Sequence, residues 1–82
     1  MPTDKPGFKS YRKKVRARVA LNLRRRRESL GLSQERAAER AGLSLQYLQR
    51  IERRIVNVPL DTLARLAHAY GVEPAVFLDL QL

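Results

Sequence analysis

Residues 33–53 read SQERAAERAGLSLQYLQRIER. Ser33 is a good N-cap, because its hydroxyl can accept from a free amide of the first turn. Glu35 in that turn suits the positive end of the helix macrodipole. A helix is therefore predicted from Gln34 to Ala41, broken by Gly42. Leu43 follows, and Ser44 caps a second helix over about Leu45–Arg53. Counting Gln34 as first, Ala38 is fifth, where two crossing helices leave room only for a small side chain. Gly42 is ninth, where the turn needs a positive φ that glycine adopts without penalty. Ala37, Ala41, Leu43, Leu48 and Ile51 take the positions that must face a core. Two short helices joined by so few residues cross at a steep angle, the geometry of a helix-turn-helix.

Upstream, Tyr11–Leu30 has neither Gly nor Pro and is dominated by the strong helix formers Arg, Ala and Leu. Val15, Val19 and Leu23 recur every four residues as one apolar stripe, and Gly31 ends the helix. Its start is open between Tyr11 and Arg18. Residues 1–10, with two prolines and a glycine, are expected to be irregular and mobile. Downstream, residues 54–59 (RIVNVP) read as a loop. Leu60–Tyr70 reads as a helix with Leu60, Leu63, Ala64 and Ala67 on one face, ended by Gly71. Pro74 suits the first turn of a short fifth helix to Leu80. The expected fold is all-α with five helices. A basic arm is assigned to residues 1–14 and a domain to 15–82, with the helix-turn-helix at 34–53.

The formal net charge is +9 over 82 residues, and it is unevenly placed. Residues 1–30 hold eleven basic and two acidic side chains; residues 31–82 hold six of each. Such a block suits a polyanion, since each Lys or Arg on a phosphate releases condensed counterions. Taken alone it also fits a solvated tail or a membrane surface. The second helix of the motif leaves Ser44, Leu45, Gln46, Gln49, Arg50 and Arg53 facing outward. Arg pairs with guanine, Gln with adenine, and a short apolar group can touch a thymine methyl. An ordinary solvated face uses the same residue types; the turn pattern and the basic block together favour DNA.

Other chemistry has little to work with. The chain has no cysteine and one histidine, His68, read as an exposed helix residue without a role. No metal-ligand spacing, nucleophile–base pair or glycine-rich phosphate loop is present, so neither an enzyme nor a cofactor is expected. No apolar run approaches the roughly 18 residues of a membrane span. No secretory signal follows the basic start, and a cytoplasmic protein without membrane contact is expected. Tyr70 and Phe77 read as core. Glu52 is expected to tie down an arginine. Tyr47 fits either a stack near DNA or packing within the domain.

The runs GLSQERAAERAGLSLQYLQRIERR and NVPLDTLARLAHAYGVEPAVFL resemble the lambda-repressor-like (Cro-type, or xenobiotic-response-element) helix-turn-helix regulators, from about Asn22 to Leu78. The resemblance implies five helices, a dimer on palindromic double-stranded DNA, and the second motif helix in the major groove. By position, Leu45, Gln46 and Arg50 match base-reading residues, and Gln34 matches a phosphate- or base-clamping one. Arg54 stands where the family carries Gly, so the helix either extends or turns under strain. Ile55 and Val56 replace basic residues and expose apolar surface. Leu45 replaces a polar residue. Arg26 replaces an apolar or small one, with Leu30 as the compensating contact.

The combined expectation is a transcriptional regulator that binds DNA through Gln34, Ser44, Leu45, Gln46, Gln49, Arg50, Arg53 and Arg54. Phosphate contacts are expected from Lys9, Arg12, Lys13, Lys14, Arg24 and Arg27. A homodimer contact is expected through Val76, Leu80 and Leu82, with Phe77 and Leu78 inward and Ile55 and Val56 as additional candidates; the alternative is a tail that seals the monomer's own core. A restriction–modification controller fits the same features, as does an antitoxin with a toxin partner. Polymerase is a further candidate partner. The rival of another class is an adaptor for protein or RNA that uses the motif only as scaffold.

Overall fold

A computed structural model of the chain describes residues 3–80. Leu82, one of the three expected dimer residues, lies outside them. The described residues form four α-helices: α1 (Phe8–Ser29), α2 (Gln34–Ala41), α3 (Leu45–Glu52) and α4 (Leu60–Tyr70). A short 3₁₀ helix follows at Pro74–Leu78. The described residues contain no strand.

The motif forms where its local chemistry places it. The Ser33 and Ser44 hydroxyls each accept from an amide three residues on, Arg36 N and Tyr47 N, both at 3.1 Å. Gly42 takes φ +69° between α2 and α3, and the Leu43 amide returns to Ala38 O at 2.9 Å, closing the end of α2. A Cβ at Gly42 would meet only a guanidinium nitrogen of the exposed, flexible Arg65 side chain, at 3.0 Å, so it is the positive φ that calls for glycine there. Ala37, Ala38, Ala41, Leu48 and Ile51 are buried. With Leu23, Leu66 and Phe77 they form the centre of the core. Fully burying each large side chain contributes about 1.5–3 kcal/mol of gross transfer energy.

Four expectations need correction. Helix α1 begins at Phe8, ahead of the predicted range, so residues 8–14 of the assigned arm are helical. Gly7 at φ +88° turns the chain, and the Tyr11 amide already reaches Gly7 O at 3.0 Å. The Arg12 guanidinium lies over the Phe8 ring, 5.7 Å from its centroid. In α4 the buried stripe is Leu63, Leu66, Ala67 and Tyr70; Leu60 is 80 % exposed and Ala64 is exposed. Leu60 is the first residue of that helix and precedes the turn that meets the core. Leu30 is exposed and makes no compensating core contact for Arg26.

The fourth concerns the fifth helix, which is a single 3₁₀ segment closed by an i→i+3 bond from Val76 N to Glu73 O (3.0 Å). The Asn22 side-chain amide donates to Phe77 O (3.1 Å) and Asp79 O (3.2 Å), taking up carbonyls that a longer α-helix would have used. Side chains three apart eclipse in a 3₁₀ helix. Phe77 is fully buried and Leu80 packs partly against the same core, while Leu78 between them turns outward. Leu80, expected at a dimer contact, is thus partly buried in the monomer, and Leu78, expected inward, is exposed.

Candidate nucleic-acid interface

Helix α3 presents the outward face that its sequence predicts. Ser44, Gln46, Arg50 and Arg53 are exposed, and Leu45 and Gln49 are half-buried. Ser44, Gln46, Tyr47, Gln49, Arg50 and Arg53 line one shallow depression. Tyr47 packs partly against the core, and its hydroxyl lies 3.4 Å from Thr62 Oγ1 on α4. Arg53 also borders a second depression with Arg24, Gln34 and the Arg27–Glu52 pair. The start of α2, the end of α3 and the last two turns of α1 therefore meet at one polar surface.

Beneath that surface lies a charged brace. Arg27 Nε donates to Glu52 Oε2 at 2.8 Å and its Nη2 to Oε1 at 3.0 Å, while Nη1 donates to Leu32 O at 2.7 Å. The side chains are only 11 % and 3 % exposed. The hydrogen bond to Glu52 leads the causes that raise the Arg27 pKa above its ordinary value, against the opposing effect of burial. The bidentate pair fixes α3 against α1. Arg27 is therefore withdrawn from the expected phosphate contacts: every hydrogen bond it makes points inward. A signal for this was present, since Arg27 is the next step of the Val15–Val19–Leu23 stripe and so belongs to the core face. It is the arginine that Glu52 was expected to hold.

Glu52 Oε1 also accepts from Gln34 Nε2 at 3.0 Å, and Gln34 Oε1 faces Gln49 Nε2 at 3.5 Å. The Gln34 amide is thus anchored from below. Above the brace, Tyr70 is 4 % exposed and its hydroxyl has no partner. Burial, aided by the Glu52 charge, pushes its pKa up to about 12. The ring itself meets Phe77 edge-on, with centroids 6.1 Å apart.

The basic residues of α1 divide by position. Lys9, Arg12, Lys13 and Lys14 are exposed on its first half, and Arg24 is exposed beside the α2–α3 surface. Eleven residues make about three helical turns, so Lys13 lies on the same side of α1 as Arg24. Arg24 also makes a 3.6 Å ion pair with Glu28, both well exposed, which contributes little to stability. Arg54, after α3, has φ +65°, the left-handed conformation that its replacement of glycine foreshadows.

Apolar surface is concentrated elsewhere. Ile55 is 60 % and Leu78 48 % exposed. Leu78 and Leu60 flank an apolar groove floored by Val15, Val56 and Val58. Sequence reasoning missed Leu60 and Leu78 as surface residues. Val76 is exposed at a different edge, beside Asn22, Arg25 and Arg26. Among the described residues no group of acidic and histidine side chains could hold a metal, and no helix is long and apolar enough to cross a membrane.

Sequence and fold are similar to those of known proteins. The helix-turn-helix family HTH_3 matches residues 23–77. An HTH-type transcriptional regulator of Sinorhizobium fredii, y4dJ, is 43 % identical over 58 residues, covering 71 % of this chain and 75 % of that protein. A hypothetical transcription factor of Neisseria meningitidis is 38 % identical over 58 residues, again 71 % of this chain but only 55 % of the relative, so the match spans about half its length. The crystal structure of the restriction–modification controller protein C.AhdI from Aeromonas hydrophila superposes with a TM-score of 0.74 at 35 % identity, covering 76 % of this chain and 94 % of that one. Matched by the family over residues 23–77, two thirds of its length, the chain belongs to the HTH_3 family of Cro/XRE-type helix-turn-helix proteins, DNA-binding regulators of transcription.

Proposed function

We propose that the protein binds a specific palindromic operator in double-stranded DNA as a homodimer and thereby regulates transcription. The observation that supports this best is the α3 face: Gln46, Gln49, Arg50 and Arg53 stand outward on a helix whose buried side is locked to α1 by Arg27–Glu52. Flexible side chains on a rigid, positioned helix are what major-groove readout requires. Ser44, Leu45 and Arg54 border the same face, and Gln34 sits at the adjoining helix start. Lys9, Arg12, Lys13, Lys14 and Arg24 contribute phosphate contacts that add affinity without sequence information.

One such motif reads about four to six base pairs, and two-fold repetition is the usual remedy. The surface for it is apolar. Leu78 takes the place of Leu80, beside Leu60 at the apolar groove, with Ile55 exposed on the loop and Val76 at a separate edge, and an isologous contact would cover Leu60 and Leu78 on both subunits at once. Selection of bound duplexes from a random pool tests the whole reading: one palindromic sequence, bound with a steep salt dependence, is expected. Equal binding to any polyanion would support the adaptor reading. Sedimentation at micromolar concentration tests the dimer: Leu60→Asp with Leu78→Asp should stay folded and become monomeric, and a monomeric wild type would sink the proposal.

A second reading within this class is control of restriction–modification genes. It is favoured by the likeness to C.AhdI, which this chain matches over 94 % of that protein's length. An operator lying upstream of a restriction–modification operon in the source genome would support it.

A further inference from the structure

The donors and acceptors beneath α3 run in one direction. Arg27 has only donors, and two of them go to the two oxygens of Glu52. Glu52 can therefore only accept, and what it accepts from Gln34 must be the amide NH₂, at 3.0 Å. That sets the Gln34 side chain with its oxygen away from Glu52. The oxygen faces Gln49 Nε2 at 3.5 Å, so the NH₂ of Gln49 is turned to Gln34 and its oxygen is left out of that bond; Gln49 lines the same depression as Gln46 and Arg50. Leu45, the first residue of α3, has no polar group to offer Gln34. That leaves Gln49 as the side chain on α3 that completes the chain of bonds.

We propose that the relay Arg27–Glu52–Gln34–Gln49 fixes the orientation of the Gln49 amide and makes Gln49 a selector of amine-bearing bases. An amide free to flip can offer its oxygen to the amines of adenine and cytosine or its NH₂ to the carbonyls of guanine and thymine, and so discriminates weakly. Held with its oxygen outward, it accepts from adenine N6 or cytosine N4 and meets guanine O6 or thymine O4 with like polarity. Each base pair carries one amine and one carbonyl in the major groove, so the effect is on the orientation of a pair at one operator position. Gln34 acts here as a positioning residue, and Gln49 as the reader.

This inference rests on the operator reading above, and the test separates the two. Binding selections are run on the wild type, Gln34→Met and Gln49→Glu, with thermal melts of each. The wild type should prefer adenine or cytosine on one strand at one position by about fivefold, the worth of a single net hydrogen bond. Gln34→Met should lower that preference below about twofold while every other operator position keeps its preference, which also shows that the variant is folded. Gln49→Glu, which can only accept, should keep the same preferred base with weaker overall binding. A guanine or thymine preference at that position, or an unchanged preference in Gln34→Met, would overturn the relay alone. No base preference anywhere in the wild type would overturn the operator reading and the relay with it.

Discussion

The two halves of the cationic surface are built differently. Around α2 and α3, helices of eight residues each are held by serine caps, a glycine turn, an alanine-lined crossing and a buried ion pair. The first half of α1 carries Lys9, Arg12, Lys13 and Lys14 on one exposed helix, with the ring of Phe8 under Arg12 as its described support. An isolated helix end of that kind depends on propensity rather than packing. The contrast separates two tasks. Base readout needs side chains placed to within a fraction of an ångström, whereas attraction to phosphates needs only charge within a Debye length.

The largest effect should come from the brace. Arg27→Met leaves the Glu52 carboxylate buried without its main partner and should destabilise the fold by about 3–5 kcal/mol in urea denaturation. Adding Glu52→Met should recover most of that loss while operator binding stays impaired, since the helices would pack without the polar register. Arg50→Ala should leave the melting transition in place and cost about 1–3 kcal/mol of discrimination at one base pair. An equal loss on operator and random DNA would mean that Arg50 touches only phosphate and belongs with the α1 cations.

Tyr70 sharpens the picture from below the surface. Its pKa in the fold, about 12, lies above its unfolded value near 10. The native state therefore holds the phenol proton more tightly, a stabilisation present in full below pH 10 and lost as pH rises from 10 to 12. The difference in stability between wild type and Tyr70→Phe should change across that window and be flat below it. At neutral pH Tyr70→Phe should be about 1 kcal/mol more stable, because it removes a buried hydroxyl that has no partner. Arg54→Gly should give a similar gain, about 1 kcal/mol, by relieving the positive φ. Changing Lys9, Arg12, Lys13 and Lys14 together to alanine should move stability least of all. The log–log salt slope of DNA binding should become shallower by roughly three to four, at about 0.9 for each phosphate no longer neutralised, with the preferred sequence unchanged. An unchanged slope would place α1's first half off the DNA.

What was legible in the sequence follows the same division. The ends of α2 and α4 were readable because Ser33, Gly42 and Gly71 leave the backbone few alternatives. The outward face of α3 was readable because Leu48 and Ile51 settle its phase. The start of α1 was not, since ten residues of basic helix formers contain no mark that separates a helix from an extended tail, and Gly7 looks like punctuation for either. The roles of Leu78 and Leu80 depended on whether the last segment winds with three or 3.6 residues per turn, which tertiary bonds from Asn22 decide. Arg27 was misplaced because its charge was weighed before its position on the apolar stripe.

The bonds from Asn22 to Phe77 O and Asp79 O join positions 55 and 57 residues apart. Phe77, fully buried, fills the centre against the same helix. The core therefore cannot close during synthesis until Phe77 has cleared the ribosome, and the motif in the middle of the chain must wait although its own caps and turns are local. Until then α1 and α3 expose Leu23, Leu48 and Ile51 together, and a nascent chain stalled before residue 77 would be a substrate for chaperones and proteases rather than a small working regulator.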